Sequence, residues 1–250
     1  LCDRRQRQMC IRDSSDTPVY KRVLLKLSGE ALSAGADGIL NHEYLDEIVG
    51  VIKRCMDKGV QFGIVVGAGN IWRGRQGGTM EHTRADHMGM LATVINSLAI
   101  QDAFERADID ARVMTAVPIE AFAEFYSRNK AVSHLNRGKV TIFGCGMGNP
   151  FFSTDTTTAL RAVEVSADIM FKATMVDGVY DKDPNKYEDA VKYDELTFSD
   201  VITRELGVMD STAAAMCRDN SLPILVFNLN HPENIVAAVK GEPVGTLVHD

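Results

Sequence analysis

Six apolar, β-branched runs recur along the chain with helical periods between them, at residues 20–27, 62–67, 111–116, 140–144, 168–174 and 222–229. Runs of this kind, bounded by Gly, Pro or Asn, suit strands buried on both faces. Asn41 caps the first helical period, which places Leu45, Ile48, Val49, Ile52 and Met56 on one face and stops at Gly59. Further helices are expected over 83–107, 154–167, 211–220 and 232–241, the last starting at Pro232 and ending on Gly241. The alternation predicts an α/β protein, a three-layer αβα sandwich around a mostly parallel sheet. Chemistry in such sheets gathers beyond the carboxyl ends of the strands.

The 250 residues, 45% hydrophobic and 24% charged, are ordinary for a globular protein. A net charge of −7 argues against general nucleic-acid binding, though a local basic site for an anion stays open. Cys2, Cys10, Cys55, Cys145 and Cys217 are odd in number and not spaced for zinc or a redox pair, which fits a reducing compartment. No apolar run reaches the roughly 18 residues of a membrane span. With no secretory signal in the sequence, a cytoplasmic protein is expected. Residues 1–18 lack an apolar period and mix four Arg with three Asp. They are expected to be a disordered or extraneous segment ahead of a single domain over 19–250.

Three strands end in loops of small residues. The first is KLSGE, where Lys26 is followed at once by Ser28 and Gly29. Free N–H groups beside an ammonium can hold phosphate oxygens, although a lone Lys at a strand end is also an ordinary solvated residue. The second is VVGAGNIWRG, where Gly67, Ala68 and Gly69 let a ligand reach the backbone and Arg73 offers a forked donor. The third is GCGMGNPFF, residues 144–152, which leads into a helix opening on TDTTT. A helix start favours anions. Phe151 and Phe152 are either a wall for a base or part of the core. Neither glycine loop completes the dinucleotide fingerprint, since Trp72 and Asn149 stand where its last Gly belongs, and the Walker pattern is absent.

A fourth element, KATMVDGVYDKDP, puts Lys172 near another strand end, with Tyr180 and Asp183 in a turn beyond it. Asp86 sits in a helix otherwise lined by Met88, Met90, Leu91, Val94 and Ile95. These apolar residues suit core or subunit contact, whereas an acid on such a rim needs a partner, which a ribose diol would supply.

Taken in order, KLSGEAL (26–32), GNIWRG (69–74), DHMGMLATVIN (86–96), GNPFFSTD (148–155), KATMVDGVYDKDP (172–184) and VMDSTAAAMC (208–217) closely resemble the bacterial uridylate kinases, the UMP kinases of the amino acid kinase family. The resemblance implies the amino acid kinase (carbamate kinase-like) fold and transfer of the ATP γ-phosphoryl group to UMP with Mg²⁺, in pyrimidine nucleotide biosynthesis. It implies ATP contacts at Lys26, Leu27, Ser28, Gly29, Gly69, Arg73, Thr174, Tyr180 and Asp183. It implies UMP contacts at Ala68, Asp86, Met147, Gly148, Asn149, Pro150, Phe151, Phe152, Ser153 and Thr154. Ala68 departs from the family's usual Gly and requires a negative φ. The family further implies a homohexamer with GTP as activator and UTP as inhibitor, with the loop over 33–40 linked to GTP and one residue short here.

The expected roles follow from charge. Lys26 and Lys172 stabilise the transferring phosphoryl group, and Arg73 orients the acceptor phosphate. Asp155 orients the lysines or Mg²⁺, and Asp210 is a second such candidate. Mg²⁺ is expected to be carried mainly by nucleotide phosphates, with no general base required. Two other readings stand beside this one: a kinase of the same fold that phosphorylates a carboxylate, and a non-enzymatic nucleotide-binding protein on the same scaffold.

Overall fold

A computed structural model describes residues 17–33, 37–72, 78–184, 186–204 and 206–250. Residues 1–16, Arg73 and residues 34–36 of the expected effector loop lie outside the described residues.

The six apolar runs form neighbouring strands. These are β1 (Arg22–Leu27), β2 (Gln61–Val66), β3 (Ala111–Thr115), β5 (Val140–Gly144), β6 (Ile169–Thr174) and β10 (Ile224–Asn228). They join β4 (Glu124–Phe125), β9 (Glu195–Thr197) and β11 (Thr246–His249) in one sheet of order β4-β3-β5-β2-β1-β6-β10-β11-β9. Pairing is parallel from β4 through β10. The reversal comes at β11, which is antiparallel to β10 and parallel to β9. A separate hairpin pairs β7 (Val179–Tyr180) with β8 (Lys192–Tyr193).

Alternation along β1 divides the core. Val23, Leu25 and Leu27 join one apolar layer with α2 (His42–Met56), α3 (His82–Arg106) and α8 (Asn234–Val239). Leu24 joins the other, with α4 (Arg128–Asn136), α5 (Thr154–Glu164), α6 (Phe198–Thr203) and α7 (Ser211–Asp219). The remaining helix, α1 (Gly29–Ser33), follows β1 directly. The period-2 rule sends Lys26 to the same face as Leu24. In β6, Ile169, Phe171 and Ala173 belong to the first layer and Met170 to the second, so Lys172 also faces α5.

The helix starts follow capping chemistry. Asn41 accepts from Tyr44 N–H at 3.1 Å. Ser153 accepts from Thr156 N–H at 3.0 Å to open α5. Thr197 and Asp200 form a capping box on α6. Glu81, an uncommon cap, accepts from the N–H groups of Thr83 and Arg84 at the start of α3. On α2, Leu45, Ile48, Val49 and Ile52 are buried as their spacing predicts, and Met56 packs against the same layer.

Candidate active site

The site is built where β1, β2, β5 and β6 end. Lys26 is the register partner of Val65 in β2 and of Lys172 in β6. Parallel pairing therefore brings the two lysines side by side from positions 146 residues apart in the chain, since 172 − 26 = 146. Asp155, in the first turn of α5, lies between them. Lys172 Nζ donates to Asp155 Oδ2 at 2.5 Å, and Lys26 Nζ lies 3.4 Å from Oδ1. The Asp155 side chain is 15% exposed and that of Lys172 10%.

Burial works against both charged forms. Burial alone would raise the Asp155 carboxyl, but the adjacent Lys26 and Lys172 charges outweigh it and hold the group below the usual carboxylate range. Burial lowers the Lys172 ammonium, Asp155 opposes that, and the Lys26 charge reinforces it. One carboxylate thus serves two ammonium groups. Beyond its contact with Lys26, Asp155 Oδ1 accepts no hydrogen bond among the described residues. Two ammonium groups that share one directly contacting carboxylate in a largely buried place suit an incoming anion.

Asp210 stands close by and locks the frame. As the cap of α7 it accepts from Ala213 N–H at 2.9 Å. It also accepts from the hydroxyl of Thr156 at 2.8 Å and from that of Ser153. The carboxylate ties the starts of α5 and α7 together and adds a more distant attraction on Lys172.

The β1 and β2 loops touch through their backbones. Gly67 N–H donates to Leu27 C=O at 2.9 Å. A Cβ on Gly29 would sit 2.5 Å from Gly69 N and 2.8 Å from Gly67 O. Gly29→Ala is therefore expected to force the two loops apart, costing about 2 kcal/mol of stability and weakening nucleotide binding. Parallel melting and ATP-binding measurements check both. Ala68 is not among the residues of positive φ, so its methyl fits where the resemblance leads to Gly. Buried Asn96 holds the β2 loop, donating to Gly67 C=O at 2.8 Å and exchanging hydrogen bonds with Asn70.

Two cavities flank the cluster. The first, about 550 Å³, is lined by Ala68, Gly69, Asp86, Asn149, Phe152, Ser153 and Thr154, with Trp72, His82 and Met90 beside them. Of the residues expected at UMP, Met147, Gly148 and Pro150 shape the loop without lining this cavity, and Phe151 sits at its rim on His82. Gly69, expected at ATP, lines the first cavity with the residues expected at the acceptor. The second cavity, about 600 Å³, is lined by Lys172, Thr174, Tyr180 and Asp183, with Arg204 and Val208 among its other walls. Thr174 closes a turn with Val176, its hydroxyl accepting from Val176 N–H at 3.0 Å. Tyr180 donates to Asp177 at 2.5 Å, which raises its phenol.

Phe151 and Phe152 are 71% and 49% exposed, so the core alternative for the pair does not hold. The loop turns through left-handed backbone at Cys145 (φ 63°), Gly146, Gly148 (φ 83°) and Phe151 (φ 70°). At Gly148 a Cβ would lie 3.0 Å from Ala116 O, a second reason for Gly there. The partner Asp86 needs is present in the chain itself, the N–H of Phe151 at 2.7 Å. Cys55, Cys145 and Cys217 are buried and free. Burial pushes the Cys55 and Cys217 thiols up to about 11 and about 12, which makes them poor nucleophiles.

Sequence reasoning missed Trp72, His82, Glu30 and Thr93 around the first cavity and Arg204 and Leu206 around the second. Arg204 follows the short α6, whose T-x-x-D start at Thr197 was the available signal.

A sequence model of the amino acid kinase family matches residues 21–228. The chain belongs to that family, and the nine-stranded, mostly parallel sheet carries its fold. A crystal structure of UMP kinase from Bacillus anthracis is 40% identical, with a TM-score of 0.89 over 92% of this chain and 96% of that one. UMP kinase from Ureaplasma parvum is 34% identical, with a TM-score of 0.87 over 92% and 99%. Uridylate kinase from Archaeoglobus fulgidus is 30% identical, with a TM-score of 0.71 over 90% and 99%.

Proposed function

We propose that this protein is a nucleoside monophosphate kinase that transfers the γ-phosphoryl group of ATP to UMP, giving ADP and UDP. The observation that carries the reading is the largely buried Lys26–Asp155–Lys172 cluster standing between two cavities. Lys172 itself lines the second cavity, while the α5 cap Ser153 and the α5 residues Thr154 and Thr157, near Asp155, line the first. The similarity to UMP kinases supports UMP as acceptor and ATP as donor.

Phosphoryl transfer asks for alignment and positive surroundings more than covalent work. Two like charges about 4 Å apart repel by on the order of 4 kcal/mol at an effective dielectric near 20. Lys26 and Lys172 offset that repulsion where the donor and acceptor phosphates meet. Asp155 keeps the two ammonium groups charged and aimed. Arg73 orients the acceptor phosphate. The second cavity takes the adenosine at Thr174, Tyr180 and Asp183, and the first takes uridine against Phe152, with Asp86 at the ribose. The acceptor phosphate is an anionic nucleophile already, so no base is needed.

Among the described residues no group of three His, Cys, Asp or Glu could cage an ion. Asp155 is engaged by lysines, and Asp210 by two hydroxyls and an N–H. This donor set fits Mg²⁺ that would enter with ATP on its phosphates and supply charge neutralisation there, with Asp155 and Asp210 as the carboxylates that would face it. No helix among the described residues is long and apolar enough to cross a membrane. The proposal extends to a cytoplasmic homohexamer, activated by GTP and inhibited by UTP, in pyrimidine nucleotide biosynthesis, with residues 19–250 as one domain. The exposed Met88, Leu91 and Ile95 on α3 support a subunit contact.

A coupled assay of ADP release with UMP, CMP, acetylglutamate or no acceptor tests the reading. Release with UMP alone is the expected outcome. Release with acetylglutamate in its place would make the chain a carboxylate kinase, and ATP binding without turnover would make it a non-enzymatic nucleotide binder.

A further inference from the structure

The rim of the first cavity carries a three-residue clasp, made by Asp86, Phe151 and a residue outside every sequence motif, His82. The His82 ring stacks on Phe151 at 4.8 Å with the planes 8° apart. Phe151 N–H donates to Asp86 Oδ2 at 2.7 Å, and His82 Nδ1 lies 3.4 Å from the same oxygen. Both contacts fall on Oδ2, and Oδ1 has no hydrogen-bond partner among the described residues. His82 and Asp86 also line the cavity.

We infer that His82 is a positioning residue for the acceptor: together with Phe151 it sets the Asp86 carboxylate so that the site distinguishes a ribonucleotide from a deoxyribonucleotide. The inference rests on the acceptor reading given above. A carboxylate has two oxygens, each with two lone pairs. With both lone pairs of Oδ2 facing an N–H and an imidazole, the two lone pairs of Oδ1 are left for a vicinal diol. Losing one sugar hydroxyl then leaves a prepared acceptor unused, which is how a polar site rejects an analogue that lacks the group.

The clasp also restrains a backbone that would otherwise relax. Phe151 has a φ of 70°, a conformation that an aromatic residue keeps only when its surroundings demand it. At 71% exposure, core packing does not supply that demand. The His82 stack and the Asp86 bond do. Removing the His82 ring therefore loosens Phe151 and Asp86 together.

The test measures KM and kcat for UMP and dUMP with the full chain at fixed ATP and Mg²⁺. The proteins are wild type, His82→Ala, His82→Gln and His82→Phe, with melting curves to confirm folding. Wild type should favour UMP. His82→Ala should raise KM for UMP about tenfold, the cost of a carboxylate no longer held in place for the sugar, with KM for dUMP changed less and kcat retained. His82→Gln, which returns a donor to Asp86 without the ring, should regain more of the preference than His82→Phe, which returns only the ring. An unchanged KM and UMP-to-dUMP ratio in His82→Ala overturns the inference, as does a loss confined to kcat or recovery with His82→Phe alone. If wild type turns over UMP, those failures touch only this inference. If wild type neither binds nor phosphorylates UMP, the proposed function falls and this inference with it.

Discussion

Lys26→Ala is expected to lower turnover on the order of a thousandfold, the scale on which a single cation at a transferring phosphoryl group acts. The fold should persist. Lys26 lies at the carboxyl end of β1, whose packing rests on Val23, Leu24, Leu25 and Leu27. Asp155 keeps its 2.5 Å hydrogen bond to Lys172. Circular dichroism and melting should therefore match wild type within about 1 kcal/mol, the ordinary scale of a substitution that leaves the core intact. Turnover within a few-fold of wild type would show that the Lys26 ammonium takes no part in the chemistry.

Asp155→Ala should fail in a different way. Two ammonium groups side by side would lose the one carboxylate between them, and breaking a buried ionic cluster by removing one partner costs about 3 kcal/mol or more. For a chain of this length that is roughly 8 °C in Tm. The pH dependence supplies a second readout. The carboxyl is held low in the folded protein, so its contribution to stability is present above its unfolded pKa and lost as pH falls through the folded value. In the variant that part of the acid-induced loss should disappear, so wild-type and variant stabilities should converge at low pH. Activity should fall along with stability. An Asp155→Ala protein as stable as wild type at neutral pH would mean that the lysines find their counter-charge elsewhere.

The central strands were legible because each is an apolar, β-branched run long enough to be read without its neighbours. All six lie in the sheet, one with its expected boundaries and the others within two residues of theirs. The elements that escaped were those where period carries little information. β4, β7 and β8 have two residues each. β11 alternates cleanly, with Thr246 and Val248 buried, but its four residues follow a loop and read as a tail. The start of α4 was visible at Ser127, followed by Ala131 and Leu135 one helical turn apart, yet its other residues are polar enough to hide the face.

The site divides along the same line. Lys26, Lys172 and Asp155 could each be singled out because glycine-rich loops and strand ends mark them. Their convergence is a matter of sheet order, with β6 beside β1, which no local pattern encodes. His82 was invisible for the opposite reason. It belongs to no motif, and its importance comes from a ring that reaches it from a loop 69 residues away, since 151 − 82 = 69.

Lys26 and Lys172 are cross-strand partners on neighbouring strands of a ladder buried at the middle of the sheet. Main-chain spacing therefore sets the gap between their Cα atoms at about 4.8 Å, before any rotamer is chosen. Warming that blurs surface side chains leaves such a gap almost untouched. Attempts to adapt this protein to heat or cold should be able to rework its outer loops freely while the main-chain spacing beneath the two lysines stays the same.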